Sequence, residues 1–449
     1  MKNYLNSQLI EFLSSFDKPV YIVGGFVRNF LIDEKVISTD VDLAGPIDSD
    51  AFLQALNEFG AEDIGHYKRT HTVTFKLSGQ KCEFTSFRRE VYAKGGGHTP
   101  ILTERTDDIL EDAKRRDFKC NAIYYDVKHG ILVDPLGGIE DVKNKVVDTV
   151  IAPEEVFAHD GLRLMRLARL SGELGFTPKK EVLSVAKQCA DNILDISVER
   201  ILTELNMILY ADKKYPFSPT YGHYDALKIL DETRVLDRII PELTLGRGME
   251  QRKDFHDHDV LEHSLRAVKY ASADVRLSAL LHDVGKPYQM INTGKYHAHD
   301  KKGVELVKVI LGRLKAPEKV KKEVMFLTSY HMLDMKEDVR EIKLRRFFVK
   351  NKDQLEKLFD IKIADFRACK DEEGSPTTLR KWKKLLDEMK KDGTPFSLKE
   401  LKISGQDLLG IGIKGDRIGK CLSDMFDMVV ASPDKNNRSY LLTFAKKYV

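Results

Sequence analysis

"YIVGGFVRNFLIDEKVISTDVDLA", Tyr21 to Ala44, is the stretch on which the reading of this chain turns. An apolar run ends in Gly24 and Gly25, Arg28 follows three residues later, and Asp40 and Asp42 flank a single valine. Two carboxylates at i and i+2 leave the same face of a strand, about 6.5–7 Å apart. That spacing suits oxygen ligands converging on one or two Mg²⁺ ions, hard cations held by a few carboxylates together with substrate phosphates. Glycines let the backbone approach a phosphate closely, and their amides, with the start of the following helix, can hold a triphosphate. Arg28 adds positive charge to the same place. A DxD triplet alone is more often a solvated acidic loop. The upstream glycines and arginine tip the reading toward a nucleotide site.

The rest of the chain is compatible with such a site. Its 449 residues suggest two to four domains, and 42% hydrophobic with 32% charged residues is the balance of a soluble globular protein. No apolar run approaches the ~20 residues of a membrane span, so no membrane partner is expected. "MKNYLNSQLIEFLSSF" reads as an amphipathic helix and lacks the basic start and cleavage site of a signal peptide. Cys82, Cys120, Cys189, Cys369 and Cys421 are scattered without CxxC pairing, so neither a zinc ribbon nor a disulfide framework is indicated and a reducing cytoplasm is the default. Lys plus Arg at 73 against Asp plus Glu at 70 permits a polyanionic partner without arguing for one. "PVYIVGG", "THTVTFKL" and "NAIYYDV" read as strands among helical stretches, whereas from about Val156 the pattern is helical. The expected class is α+β, with divisions at 1–150, 151–245, 246–370 and 371–449, and with "DEEGSPTT" (Asp371 to Thr378) as a linker.

"GGFVRN" followed by "STDVDLA" resembles the signature of the class II tRNA nucleotidyltransferase and bacterial poly(A) polymerase family. Further blocks follow in that family's order: "RRDFKCNAIYYD" (Arg115 to Asp126), "DPLGGIED" (Asp134 to Asp141), "HDGLRLMRLARLSGELGF" (His159 to Phe176) and "VERILTEL" (Val198 to Leu205). "ISGQDLLGIGIKGDRIGKCL" resembles the family's tail more weakly. The resemblance implies a nucleotidyltransferase head over 1–150 and a nucleotide-selecting neck over 151–245. The implied reaction is template-independent transfer of a nucleoside monophosphate from CTP or ATP to the tRNA 3′ end. Asp40 and Asp42 would be catalytic and hold Mg²⁺, with Glu83 as a candidate third carboxylate. Gly24, Gly25, Arg28, Arg115, Arg116, Asp117 and Asn121 would bind nucleotide.

In the family, an acidic residue and an arginine of the fourth block read the base; here these are Asp160 and Arg163. Cytosine N4 and adenine N6 donate to a carboxylate, and cytosine N3 and adenine N1 accept from an arginine. Arg166 and Arg169, at i+3 and i+6 from Arg163, would meet the triphosphate. The sequence departs from the family where Asn29 replaces an aspartate, His159 a glutamate and Gly161 a common proline; a charged His159 would draw Asp160 away from the base. Gly95 to Gly97 predict a mobile loop of the kind that CC-adding members lack. That favours full CCA addition or A addition; CC-only and poly(A) addition are the alternatives.

His263, His282, Asp283, His299, His331 and Asp365 form an ordered H…HD…H…H…D set. Imidazoles and carboxylates from successive helices can hold a mono- or dinuclear metal centre. A lone histidine on such helices is more often a core residue, but six ordered ligands are not. The set resembles the HD phosphohydrolase superfamily over 255–370. This implies a divalent transition metal and phosphomonoesterase or phosphodiesterase activity, with damaged tRNA ends as one candidate substrate; a degenerate domain that only grips tRNA is the alternative. Arg380, Lys381, Lys383, Lys384, Lys390 and Lys391 surround Trp382, as in a helix that tracks phosphates within a tRNA-binding tail; a solvated charged face is the plainer reading. Two other classes compete with the transferase: a metal-dependent hydrolase with an accessory head, and an RNA-binding protein with neither activity. Oligomeric state is not readable.

Overall fold

Strict alternation turns the two aspartates outward. In strand β2 (Asp40–Gly45), Asp40 and Asp42 are exposed while Val41 and Leu43 are buried. The computed structural model describes residues 1–36, 40–93, 95–97 and 99–449; Ser38 and Thr39 of the aspartate block, and Lys94 and His98 beside the glycine run, lie outside the described residues. The chain divides into two units, Met1–Leu245 with Ile310–Ala316, and Gly246–Val309 with Pro317–Val449. The fold is α+β.

The first unit carries a seven-stranded mixed sheet in the order β3-β4-β5-β2-β1-β8-β9. Its strands are β1 (Tyr21–Val23), β2, β3 (Glu62–Tyr67), β4 (Thr72–Leu77), β5 (Gln80–Ser86), β8 (Tyr124–Asp126) and β9 (Ile131–Val133), while β6 (Arg88–Val91) and β7 (Leu102–Arg105) pair as a separate hairpin. The three strands expected from sequence are β1, β4 and β8. β2 runs parallel to β5, and this register sets Asp42 opposite Glu83. Gly24, at φ 80°, turns the chain from β1 into the helix Gly25–Ile32, so the glycine pair lies beside the tip of β2. Phe52 stacks on Phe84 at 3.7 Å beneath the sheet. Helices Leu162–Leu174 and Val198–Leu209 then form the neck, and they bury Met165, Leu167, Leu170, Leu205 and Ile208.

The second unit is helical, and its ligand-bearing helices are Val260–Tyr270, the part of His299–Arg313 up to Val309, and Leu355–Lys370. Four expectations are corrected here. The N-terminal stretch makes only a short turn and the helix Ser7–Ser14, because Asn6 caps a new start. His282 and Asp283 lie on the turn after the helix Arg276–Leu281, not within a helix. The supposed linker begins with Asp371, which binds Arg266, Tyr270 and His258 and so is anchored. Trp382 is fully buried, on the apolar stripe Thr378–Leu379–Trp382–Leu385–Met389 of the helix Thr377–Lys391, and donates its indole N–H to Asp334 at 2.9 Å. It cannot stack on a base, and Lys381 is paired with Asp334; Arg380, Lys383, Lys384, Lys390 and Lys391 remain exposed.

Candidate active sites

Every nucleotide-binding residue named from sequence lines one cleft of the first unit, of about 540 Å³: Gly24, Gly25, Arg28, Arg115, Arg116, Asp117, Asn121, Asp160, Arg163, Arg166 and Arg169. Asp42 opens into it as well. Nine basic and five acidic side chains line the cleft, an excess that favours a polyanion such as a triphosphate. A Cβ at Gly24 would sit 3.1 Å from Asp42 Oδ2, so only glycine brings this backbone so close to the carboxylate without crowding it. Although its surface is solvent-accessible, Asp42 is ringed by protein within the cleft, and that desolvation raises its pKa, with a further rise from Asp40, against the pull of Arg116 and Arg166. Burial and the charge of Asp42 also raise Glu83. Asp42 and Glu83, both disfavoured as bare anions, together with Asp40 are a fitting ligand set for divalent cations.

The arginines differ in how far they are already satisfied. Arg28 is 4% exposed and donates to Asn29 Oδ1 (3.1 and 2.8 Å), to Asn121 and to Tyr215. All three partners are neutral, so Asn29, in place of the family's aspartate, leaves the full charge of Arg28 available to an anion. Arg166 is paired with Asp117, and Arg169 lies between Glu204 (2.5 Å) and Glu173 (2.9 Å). A triphosphate would have to share these two arginines with their carboxylates.

Around the candidate base-reading pair, Arg163 donates to the carbonyls of Arg115 (2.7 Å) and Val156 (3.3 Å), which lock its plane. Asp160 Oδ1 accepts from the amide of Leu162 (3.0 Å), and its Oδ2 lies 3.4 Å from Arg200. Each carboxylate oxygen keeps a further lone pair. His159 does not hold Asp160: it stacks on Tyr92 at 4.6 Å and 13°, and burial, aided by Arg163, lowers its pKa and keeps it neutral. The replacement of proline by Gly161 also has a local cause, since a Cβ there would meet the carbonyl oxygen of Asn192 at 2.1 Å. Gly96 accepts from the amide of Gly161 and donates its own amide to Asp195 (2.9 Å), which docks the glycine run on the neck.

Sequence reasoning missed Arg200 and Asp112. Arg200 lines the cleft opposite Asp160 and has one buried guanidinium nitrogen without a hydrogen-bond partner. Buried Asp112 binds Arg115 at 2.8 Å and Arg116 at 3.0 Å; despite burial, these two cations hold its pKa down to about 2. Its i,i+3 and i,i+4 spacing was a legible signal.

In the second unit all six predicted ligands converge. Asp283 Oδ2 lies 3.3 Å from His263 Nε2 and 3.2 Å from His282 Nε2, and its Oδ1 lies 3.2 Å from His299 Nε2 and 3.6 Å from His331 Nε2. Asp365 Oδ1 faces His263 at 3.0 Å and His282 at 3.5 Å. Asp283 therefore turns one oxygen to each of two ligand groups, the disposition of a carboxylate that bridges two cations. His282, His299 and His331 each direct Nδ1 at a backbone carbonyl three residues back, at 2.7, 2.9 and 2.7 Å. That contact fixes the tautomer and aims the Nε2 lone pair inward. His282 Nε2 and both Asp283 oxygens are fully buried, and Asp283 Oδ2 also faces the Lys286 ammonium at 2.6 Å, which holds the carboxylate charged for ligation.

Residues 20–148 match the poly A polymerase head domain family, 175–245 the family described as probable RNA and SrmB-binding site of polymerase A, and 260–365 the HD domain family. The chain is 33% identical over 376 residues to the A-adding tRNA nucleotidyltransferase of Deinococcus radiodurans, covering 80% of this chain and 78% of that protein. It is 29% identical to the multifunctional CCA protein of Hahella chejuensis, over 69% of this chain and 72% of that one. The crystal structure of the Bacillus stearothermophilus CCA-adding enzyme in complex with CTP has the same fold, with a TM-score of 0.65 at 22% identity over 99% of this chain and 98% of that one.

Proposed function

The chain belongs to the class II tRNA nucleotidyltransferase family with an HD domain, and on that premise we propose that it adds the terminal CCA to tRNA from CTP and ATP through the cleft around Asp42. The gathering of every nucleotide-binding residue in that one cleft carries the reading. Gly24 and Gly25 offer amides to the triphosphate, and Arg28 offers an uncompensated charge. Both domain families use divalent metals. Asp40 and Asp42, with Glu83 adjoining, would hold Mg²⁺, which would supply charge stabilisation for the primer hydroxyl and the departing pyrophosphate.

Asp160 accepts from the amino group shared by cytosine N4 and adenine N6, while Arg163 donates to the ring nitrogen beside it. Uracil and guanine would set a carbonyl against Asp160, at a cost of about 1–3 kcal/mol. Arg200, 3.4 Å from Asp160 Oδ2, helps to orient the carboxylate. The Deinococcus relative favours a second reading, A addition alone. Incubation with tRNAs ending before the first C and before the A, Mg²⁺ and each labelled nucleotide separates these. Incorporation of C and then A supports CCA addition, A on the second tRNA alone supports the second reading, and no incorporation overturns both.

The HD centre acts as a divalent-metal phosphohydrolase on RNA ends or nucleotides. His263, His282, Asp283 and Asp365 would hold one transition-metal cation and Asp283, His299 and His331 a second, which supply Lewis-acid activation of a phosphoester. Release of phosphate from 2′,3′-cyclic or 3′-phosphorylated RNA ends by metal-loaded protein, lost in His282→Ala, tests it.

A further inference from the structure

His256, His263 and Cys369 form another cluster of metal-ligating side chains in the second unit, and it is not one of the two groups that Asp283 joins. One donor atom of each lies within 4.8 Å of the others. The backbone builds this proximity. Cys369 follows Asp365 by one helical turn, and the amide of Asp257, next to His256, donates to the Cys369 carbonyl at 3.0 Å. His258 Nε2 lies 3.3 Å from Asp371 Oδ2, and Arg266 and Tyr270 bind the same carboxylate. The turn carrying His256 is thus fastened to the end of the helix carrying Cys369.

His263 stands apart from the other histidines of the centre. It is fully buried, its Nε2 faces Asp365 Oδ1 at 3.0 Å and Asp283 Oδ2 at 3.3 Å, and its Nδ1 is left without a hydrogen-bond partner, whereas each of the others has Nδ1 on a carbonyl. His256 Nδ1 is also buried without a partner, and the two rings meet edge to face at 5.0 Å. Buried imidazole nitrogens left unpaired beside a thiol are the donors of a ligand site.

The donor set selects the cation. Two nitrogens and a sulfur suit a borderline or soft ion of the Zn²⁺ class and disfavour Mg²⁺ or Ca²⁺, which want oxygen. Bonds of ~2.0–2.3 Å hold tetrahedral donors ~3.3–3.8 Å apart, so the three must draw in by about 1 Å. His256 is only half-buried and stands on a turn rather than in a helix, so of the three it is the side chain that would move. The Lys286 ammonium, 2.6 Å from Asp283, opposes a further cation, and the thiolate formed when Cys369 releases its proton offsets that charge. A neutral imidazole offers one lone pair, so His263 serves one cation at a time.

We propose that His256, His263 and Cys369 form a distinct site for a thiophilic divalent cation, and that filling it withdraws His263 from the adjoining Asp283 centre. The competition, though not the site, rests on the hydrolase reading above. The test is titration of the metal-free full-length protein with Co²⁺, reading the near-ultraviolet sulfur-to-cobalt charge-transfer absorption. Wild type should show the band, Cys369→Ser should lose it, His256→Gln should weaken Co²⁺ binding at this site tenfold or more, and Asp365→Asn should keep it. Far-ultraviolet circular dichroism and the thermal transition verify that each variant is folded. Absence of the band in wild type, or its persistence in Cys369→Ser, overturns the proposal. Loss of the band in folded Asp365→Asn overturns the site's separateness. A band in wild type without any phosphoester hydrolysis overturns the hydrolase reading and leaves the site standing.

Discussion

Burial raises the pKa of Asp42, Asp40 adds to that shift, and Arg116 and Arg166 oppose it. A carboxyl whose pKa is higher folded than unfolded binds its proton more tightly in the folded state. Stability therefore falls as pH rises from the ordinary carboxylate value through the raised one, and the deficit is complete above it. Asp42→Asn should raise the melting temperature of metal-free protein at neutral pH, on the order of 1 °C because the side chain is partly solvated, and the difference should vanish in acid below the ordinary carboxylate range. Asp42→Ala should cut nucleotide incorporation by about 10³-fold with the fold intact, since several kcal/mol of charge stabilisation leave with the ligand; near-normal incorporation would remove Asp42 from the metal site. At the base-reading end, Asp160→Ala should lower kcat/KM for CTP by roughly 5- to 150-fold and weaken rejection of UTP. Arg200→Lys should erode the same discrimination less, because an ammonium keeps the charge without the planar fork. An unchanged CTP-over-UTP ratio in Asp160→Ala on a tRNA ready for its first C would assign base reading elsewhere.

At the scale of elements, the helix Leu355–Lys370 joins two duties. It presents Asp365, and one turn earlier it presents Lys362, whose buried ammonium donates to the carbonyls of His331 (2.7 Å) and Leu333 (2.9 Å). Lys362 thereby closes the end of the helix Glu318–Tyr330 and fixes where His331 stands relative to Asp365. Lys362→Met should weaken divalent-metal binding by about 10- to 100-fold, as loss of an outer hydrogen-bond partner does. Isothermal titration of folded variant and wild type measures it, and equal affinities would make Lys362 merely structural. What was legible from sequence was the local geometry: the two-residue period of β2, the glycine turn into a helix, and the helical pattern from about Val156, which includes the helix that starts at Val198. Contacts across the chain were not, and Arg200 against Asp160 spans 40 residues with no periodic trace. Trp382 was a different failure. Its apolar stripe was present in the sequence, and the surrounding lysines drew attention to the wrong face of the helix.

For the whole molecule, the two candidate centres lie in different units of the chain, and among the described residues that line the cleft around Asp42 none comes from the second unit. The ion pairs that shape the cleft, Arg166 with Asp117, Arg169 with Glu204 and Asp112 with Arg115, close within the first unit, and the Asp283 constellation closes within the second. Chemistry in one therefore needs no side chain from the other. The double variant His282→Ala, Asp283→Ala removes two metal ligands and, with Asp283, a buried charge that Lys286 faces at 2.6 Å, so the second unit should lose stability as well as metal. Nucleotide addition measured below the variant's first thermal transition should nonetheless stay within about twofold of wild type on a short tRNA acceptor-stem substrate, well under the tenfold that 1.4 kcal/mol would produce. Full-length tRNA supplies the contrast. A rise in KM confined to full-length tRNA, with kcat kept, would mean that the second unit binds the body of the substrate. A fall in kcat on the short substrate would show that the centres are coupled, and the treatment of the head as a self-sufficient transferase would be wrong.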